Sequence, residues 1–242
     1  MERVSGMAKT LQELVDSHKK IVFFGGAGVS TESGIPDFRS ADGLYSQKYA
    51  FPPEQIISHS FLIDNPEIFF QFYREKMLYP DARPNPAHTA LAALERRGKL
   101  TAVVTQNIDG LHQDADSRRV LELHGSVRRN YCMQCGGKYG LDAVLHSEGV
   151  PRCKCGGMIR PDVVLYEEPL DDETVAAAVR SIAEADMLIV GGTSLRVYPA
   201  AGLLRYFQGD ELVLVNRDAT PYDGAATLVL RGSIGAVLGP IR

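Results

Sequence analysis

The chain has 242 residues, 45% hydrophobic and 23% charged, with a formal net charge of −4; this is the composition of a folded protein with one full core and room for a small module, and it excludes disorder. The acidic balance argues against a direct nucleic-acid binder, which needs a concentrated excess of Lys and Arg. No apolar run approaches the roughly 18 residues that cross a bilayer, and the N-terminus carries no secretory pattern, so the expectation is a cytoplasmic protein without membrane contact.

Met7 to His18 has the spacing of an amphipathic helix. Ile21 to Phe24 reads as a buried strand running straight into Gly25-Gly26-Ala27-Gly28. Missing side chains there let backbone amides approach a diphosphate, although an ordinary tight turn has the same spelling. Thr31 stands where the dinucleotide fingerprint has its third glycine, and no acidic residue about 20 positions on marks a ribose-binding strand end. Ordinary hydride transfer is thereby disfavoured.

The aromatic, proline-containing stretch 41–83 interrupts the pattern before a helix over Pro86 to Arg97, closed by Gly98. The strand Thr101 to Thr105 leads into Gln106-Asn107-Ile108-Asp109-Gly110-Leu111-His112. Polar side chains beyond a strand's carboxyl end suit a ligand, and Asn-x-Asp-Gly equally suits a turn. A third strand, Val120 to Leu123, ends on His124, a residue type that titrates near neutrality and suits a proton acceptor in a cleft. Lone histidines are commonly structural, and His18, His59, His88, His112 and His146 have weaker placements for that role.

All four cysteines fall in one stretch: Cys132-x-x-Cys135, 17 residues, then Cys153-x-Cys155, each pair followed by two glycines. That spacing suits four-thiolate, tetrahedral zinc with no open position, hence a structural ion. A redox dithiol or two disulfides is the competing reading, disfavoured in a reducing compartment.

Asp171 to Ala185 reads as a helix and Met187 to Val190 as a strand. Gly191-Gly192-Thr193-Ser194-Leu195 then opens a helix over Tyr198 to Gln208, an arrangement that suits ribose or phosphate at a helix N-terminus. Leu212 to Val215 and Thr227 to Leu230 are the last strands. The alternation implies an α/β fold, a Rossmann-like parallel sheet with helices on both faces. Its expected extent is 1–43, 84–130 and 161–242, with a helical insertion at 44–83 and a zinc-binding module at 131–160 forming a small domain.

Gly26 to Arg39, Thr105 to His112, His124, Arg160 to Glu168 and Gly191 to Pro199 together resemble, in order, the motifs of the sirtuin family of NAD-dependent protein deacylases, which has bacterial members. The resemblance implies an enzyme that moves the acyl group from lysine of other proteins onto ADP-ribose and releases nicotinamide, consuming NAD, with one structural zinc. It implies His124 as general base, with Asn107 beside it in catalysis. Gly26, Ala27, Gly28, Thr31, Phe38 and Arg39 would hold the cofactor's phosphate and ring side, Gln106, Asn107, Ile108 and Asp109 its nicotinamide end, and Thr193, Ser194, Asn216 and Ile234 its adenosine end. The ligands Cys132, Cys135, Cys153 and Cys155 fit the same scheme. Val164, Leu165, Tyr166 and Val197 would flank a substrate peptide laid down as an added strand. The chain departs from the family's V-x-F-G-E pattern at two places, where Tyr166 stands for Phe and Glu167 for Gly. Tyr73 and Lys76 occupy the places where relatives that prefer acidic acyl groups carry Tyr and Arg, so plain acetyl-lysine is the expected substrate, and a monomer the expected state.

Overall fold

A computed structural model describes residues 10–38, 43 and 49–242. Six runs of apolar residues form one parallel sheet: β1 (Ile21–Gly25), β2 (Leu100–Thr105), β3 (Val120–Glu122), β7 (Met187–Gly191), β8 (Glu211–Asn216) and β9 (Leu228–Arg231). Their order is β3-β2-β1-β7-β8-β9, and every pairing is parallel. The chain therefore builds outward from β1 in one direction and then returns to β7 to build in the other. Such a switch point leaves a crevice beyond the strand carboxyl ends, here at Gly25–Gly26 and Gly191–Gly192.

Side chains of a strand alternate between faces, and both faces here are apolar. Ile21, Phe23, Val103, Ile189 and Val213 pack against the helices Leu11–Ser17, Pro86–Arg96 and Ile234–Leu238. Val22, Phe24, Val104, Leu188, Val190 and Leu214 pack against Asp172–Ala183 and the segment Ala200–Tyr206. Full burial on two faces explains why these strands read as unbroken hydrophobic runs.

The expected helix over Tyr198 to Gln208 is instead a 3-10 helix, Ala200–Tyr206. Gly202 N–H donates to Pro199 O three residues back, at 2.9 Å, and Gly202 at its centre weakens an α-helix there. The expected first helix begins at Leu11 behind a Thr10–Glu13 capping box, and Met7 to Lys9 lie outside the described residues.

A second sheet, order β5-β4-β6, is antiparallel: β4 (Gly125–Cys132), β5 (Lys138–Tyr139) and β6 (Ile159–Val163). It packs with the helices Pro53–Ile56, His59–Asp64, Pro66–Lys76 and Asp142–Leu145 around Phe61, Leu62, Phe69, Phe70 and Tyr73. Only Leu123 and His124 separate β3 from β4, so the histidine sits where the parallel sheet hands the chain to the antiparallel one.

Candidate active site

The two glycine turns at the switch point lie against each other. Gly26 N–H donates to Gly191 O at 3.3 Å and Gly28 N–H to Gly192 O at 2.8 Å. A β-carbon on Gly28 would come within 2.8 Å of Gly192 Cα, and one on Gly192 within 2.4 Å of Val29 N. Those two amides are thus already engaged, and the first reason for glycine at both positions is the approach of one turn to the other.

Beyond the turns opens a cleft of about 930 Å³, a size that suits a dinucleotide-scale ligand. Gly26, Ala27, Gly28, Thr31 and Phe38 line one wall, and Gln106, Asn107, Ile108, Asp109 and His124 the floor. Thr193, Ser194, Asn216 and Ile234 line the far end, while Val164, Leu165, Tyr166 and Val197 line the mouth. The cleft therefore brings together all the expected cofactor and substrate residues that are described. Arg39 lies outside the described residues.

His124 is fixed at three points. Leu123 N–H donates to Thr105 O at 2.9 Å, Val164 N–H donates to His124 O at 3.0 Å, and the ring's Nδ1 lies 3.0 Å from Gln106 O. A carbonyl only accepts, so Nδ1 carries the ring proton and Nε2 keeps its lone pair. Burial pushes the imidazole pKa below its ordinary value, against the smaller upward pull of the Gln106 carbonyl. A neutral ring with one fixed tautomer is what a general base at neutral pH requires.

Next to it runs a network that the sequence did not reveal. Ser30, 1% exposed, donates its hydroxyl to Asp109 Oδ2 at 2.7 Å and accepts from Asn107 Nδ2 at 3.0 Å. Asn107 N–H is held by Thr105 Oγ1 at 3.0 Å, and Asp109 Oδ1 accepts from Leu111 N–H at 2.8 Å. Ser30 adjoins Thr31 inside the first motif, but its partners lie almost eighty residues away, so spacing carries no trace of the contact. Glu32 was missed for the same reason: it accepts from Ser233 Oγ at 3.0 Å and Gly235 N–H at 2.6 Å, tying the glycine-rich loop to the turn that carries Ile234.

At the far end, Asn216 and Thr193 bond reciprocally: Thr193 N–H donates to Asn216 Oδ1 at 3.0 Å and Asn216 Nδ2 to Thr193 O at 2.9 Å. Gln106 Nε2 reaches Thr193 Oγ1 at 3.2 Å, linking that end to the floor. These groups fit NAD: two short polar clusters joined by glycine turns, with Ile234 supplying an apolar wall.

The mouth differs from the sequence expectation in one respect. Of Arg160 to Glu168, the first part is β6, paired with β4; only Val163 and the residues after it reach the cleft. Among the other histidines, His88 and His112 meet in the interior with ring centroids 4.7 Å apart and planes tilted by 58°, and burial, with a smaller electrostatic effect of His88, pushes His112 down to about 3.

Away from the cleft, all four cysteine sulfurs lie within 4.8 Å of one another. Cys132 Sγ and Cys155 Sγ are 3.5 Å apart, Cys135 Sγ and Cys153 Sγ 3.6 Å; a tetrahedron of thiolates at the usual zinc–sulfur length has edges of about 3.8 Å. The two turns are built alike, with Cys132 N–H on Gly137 O and Cys153 N–H on Gly157 O, both at 2.8 Å. A β-carbon at Gly157 would meet Cys132 Sγ at 2.7 Å. The donor set fits zinc held for structure.

Comparison with known proteins agrees with this geometry. A family model described as Sir2 family matches residues 26–199. A protein of Clostridium acetobutylicum named NAD-dependent protein deacetylase is 60% identical over 232 residues, spanning 94% of this chain and 95% of that one. A solved Sir2 complex with a deacetylated peptide and 3′-O-acetyl-ADP-ribose matches with a TM-score of 0.86 at 40% identity, over 95% of this chain and 96% of that one. A Sir2 enzyme bound to a propionylated peptide matches at 0.83 and 39% identity, over 93% of each chain.

Proposed function

We infer the working of the cleft from one premise: the chain belongs to the Sir2 family, the sirtuins, and is an NAD-dependent protein deacetylase. NAD, when bound, supplies an electrophilic ribose carbon with nicotinamide as its leaving group, and its ADP-ribose part takes away the acyl group.

The residues of the chain do the rest. His124 Nε2 accepts the proton of a ribose hydroxyl, a role supported by the single most telling observation, the Nδ1 bond to Gln106 O that leaves Nε2 as the base. Asn107, Ser30 and Asp109 hold the nicotinamide end in one orientation, and Ile108 and Phe38 exclude water from it. Gly26, Ala27, Gly28, Thr31 and Arg39 take the diphosphate side, and Thr193, Ser194, Asn216 and Ile234 the adenosine. The peptide lies along the segment that carries Val164, Leu165 and Tyr166, with Val197 opposite. At the acyl end Tyr73 and Lys76 line the cleft, with a lysine ammonium at the place where relatives that prefer acidic acyl groups carry arginine, which favours acetyl over acidic acyl groups.

The same reading divides the chain into a Rossmann-like domain, 1–43, 84–130 and 161–242, and a small domain of 44–83 and 131–160, except that β4 and β6 go whole with the second sheet, and it sets the cleft between the two parts. It places the protein in the cytoplasm as a monomer acting on acyl-lysine proteins and not on nucleic acid. A four-thiolate site suits a reducing compartment, and no helix of the described residues is long and apolar enough to cross a membrane. The test is nicotinamide release from NAD, measured with and without an acetyl-lysine peptide. Release that depends on the peptide is expected; release indifferent to it would sink the proposal.

A further inference from the structure

Glu167 stands where the family pattern has glycine, and it keeps a glycine-like backbone, with φ of 76°. A side chain with a β-carbon is disfavoured in that region, so the surroundings must hold it there. They do so through the carboxylate, whose Oε2 accepts from Ser60 N–H at 2.9 Å and whose Oε1 accepts from Ser60 Oγ at 3.0 Å. Ser60 belongs to the first turn of the helix His59–Asp64, so the carboxylate is gripped by the end of the helix that favours negative charge.

The neighbours of Glu167 are equally committed. Tyr166 N–H donates to Ile57 O and Tyr166 O accepts from His59 N–H, both at 3.0 Å, which leaves no backbone group of Tyr166 for a substrate. Glu168 N–H donates to Leu165 O at 3.1 Å, and its carboxylate accepts from Leu165 N–H at 2.9 Å. Among the described residues, no backbone hydrogen bond engages the N–H or C=O of Glu167, which lines the cleft. An added peptide strand needs such a free edge.

We propose that Glu167 is a positioning residue for the acylated peptide: its side chain clamps Ser60 so that its own main-chain N–H and C=O are held, in a fixed left-handed geometry, as the edge to which the substrate backbone bonds. This rests on the deacetylase reading and on the peptide lying beside Val164 to Tyr166. The replacement of glycine exchanges a flexible edge for a preorganised one.

The experiment is steady-state kinetics on an acetyl-lysine peptide with E167A, E167Q and E167G, with folding checked by circular dichroism. E167A keeps the strained backbone and loses the clamp, so its peptide KM is expected to rise about tenfold, the order of one lost charge-assisted bond, while the KM for NAD stays within about twofold. E167Q, whose amide oxygen still takes a Ser60 bond, is expected within about threefold of the parent, and E167G between the two. A peptide KM unchanged in E167A, or peptide and NAD KM values rising together, would overturn the proposal. Should E167A not fold, E167G against E167Q decides by the same criterion. Peptide-independent nicotinamide release by the parent enzyme would instead defeat the deacetylase reading, so the two failures are told apart.

Discussion

The hydroxyl of Ser30 is the acceptor for Asn107 Nδ2, 3.0 Å away, and at the same time donates to Asp109 at 2.7 Å. One buried oxygen thus sets the orientation of both polar residues on the cleft floor. Ser30→Ala leaves the Asn107 amide and the Asp109 carboxylate without that partner, at a cost of about 1–3 kcal/mol. The expected result is a fall in kcat/KM for NAD of roughly 10- to 100-fold. Initial rates at varied NAD and saturating peptide check it, with unchanged circular dichroism as the control.

His124→Ala should remove deacetylation while the chain stays folded, a loss of about 10² to 10⁴-fold for a general base. The pH profile adds a finer test. Burial holds the ring below its ordinary value of 6.5, and the base works only when neutral, so the acid limb of kcat/KM should fall off below pH 6.5. A limb centred above that value in the parent enzyme would contradict the assignment.

Much of this site was legible because its elements announce themselves locally. Parallel strands buried on two faces are apolar throughout, and Ile21 to Phe24 or Met187 to Val190 could be bounded to within a residue of the observed Ile21–Gly25 and Met187–Gly191. The thiolate quartet was equally plain, since its ligands are close in sequence. What escaped was non-local. Ser30 and Glu32 look like filler within a motif until the fold brings Asn107 and Gly235 to them. The β4–β6 sheet escaped because Arg128, Arg129 and Asn130 break its apolar pattern.

Tyr139, on β5, donates its hydroxyl to Cys153 Sγ at 2.9 Å. Hydrogen bonds to a ligand sulfur hold the ligand in place and tune the metal it binds, and losing such a partner typically costs about 10- to 100-fold in affinity. Tyr139→Phe should therefore speed zinc transfer to a colorimetric chelator in the zinc-loaded protein by roughly the same factor. Cys135→Ser, which removes a ligand outright, should release zinc faster still and lower the melting temperature. Equal release rates for Tyr139→Phe and the parent would show that the hydroxyl contributes nothing to the site.

Glu168 gives the fold a calculable sensitivity to acid. Burial alone would raise its pKa, but the Arg160 guanidinium, with bonds of 2.5 and 3.0 Å, together with Leu165 N–H and His59, brings the carboxyl down from 4.5 to about 2. A carboxyl depressed in the folded state stabilises fully above its unfolded value, and that contribution is lost as pH falls through the folded one. Glu168→Gln removes the charge and leaves Arg160, 5% exposed, without its counterion. The expected loss at pH 7 is about 1–3 kcal/mol, less than for a fully enclosed pair because water reaches Glu168. Urea unfolding at a series of pH values is the measurement. The gap between parent and variant should be constant above pH 4.5 and narrow steadily toward pH 2; a gap that stays constant over that range would mean the carboxylate is not held by Arg160. Because Glu168 also closes the turn that carries Glu167, the variant should in addition weaken peptide binding at neutral pH, which acid titration of the parent reproduces only below pH 4.5.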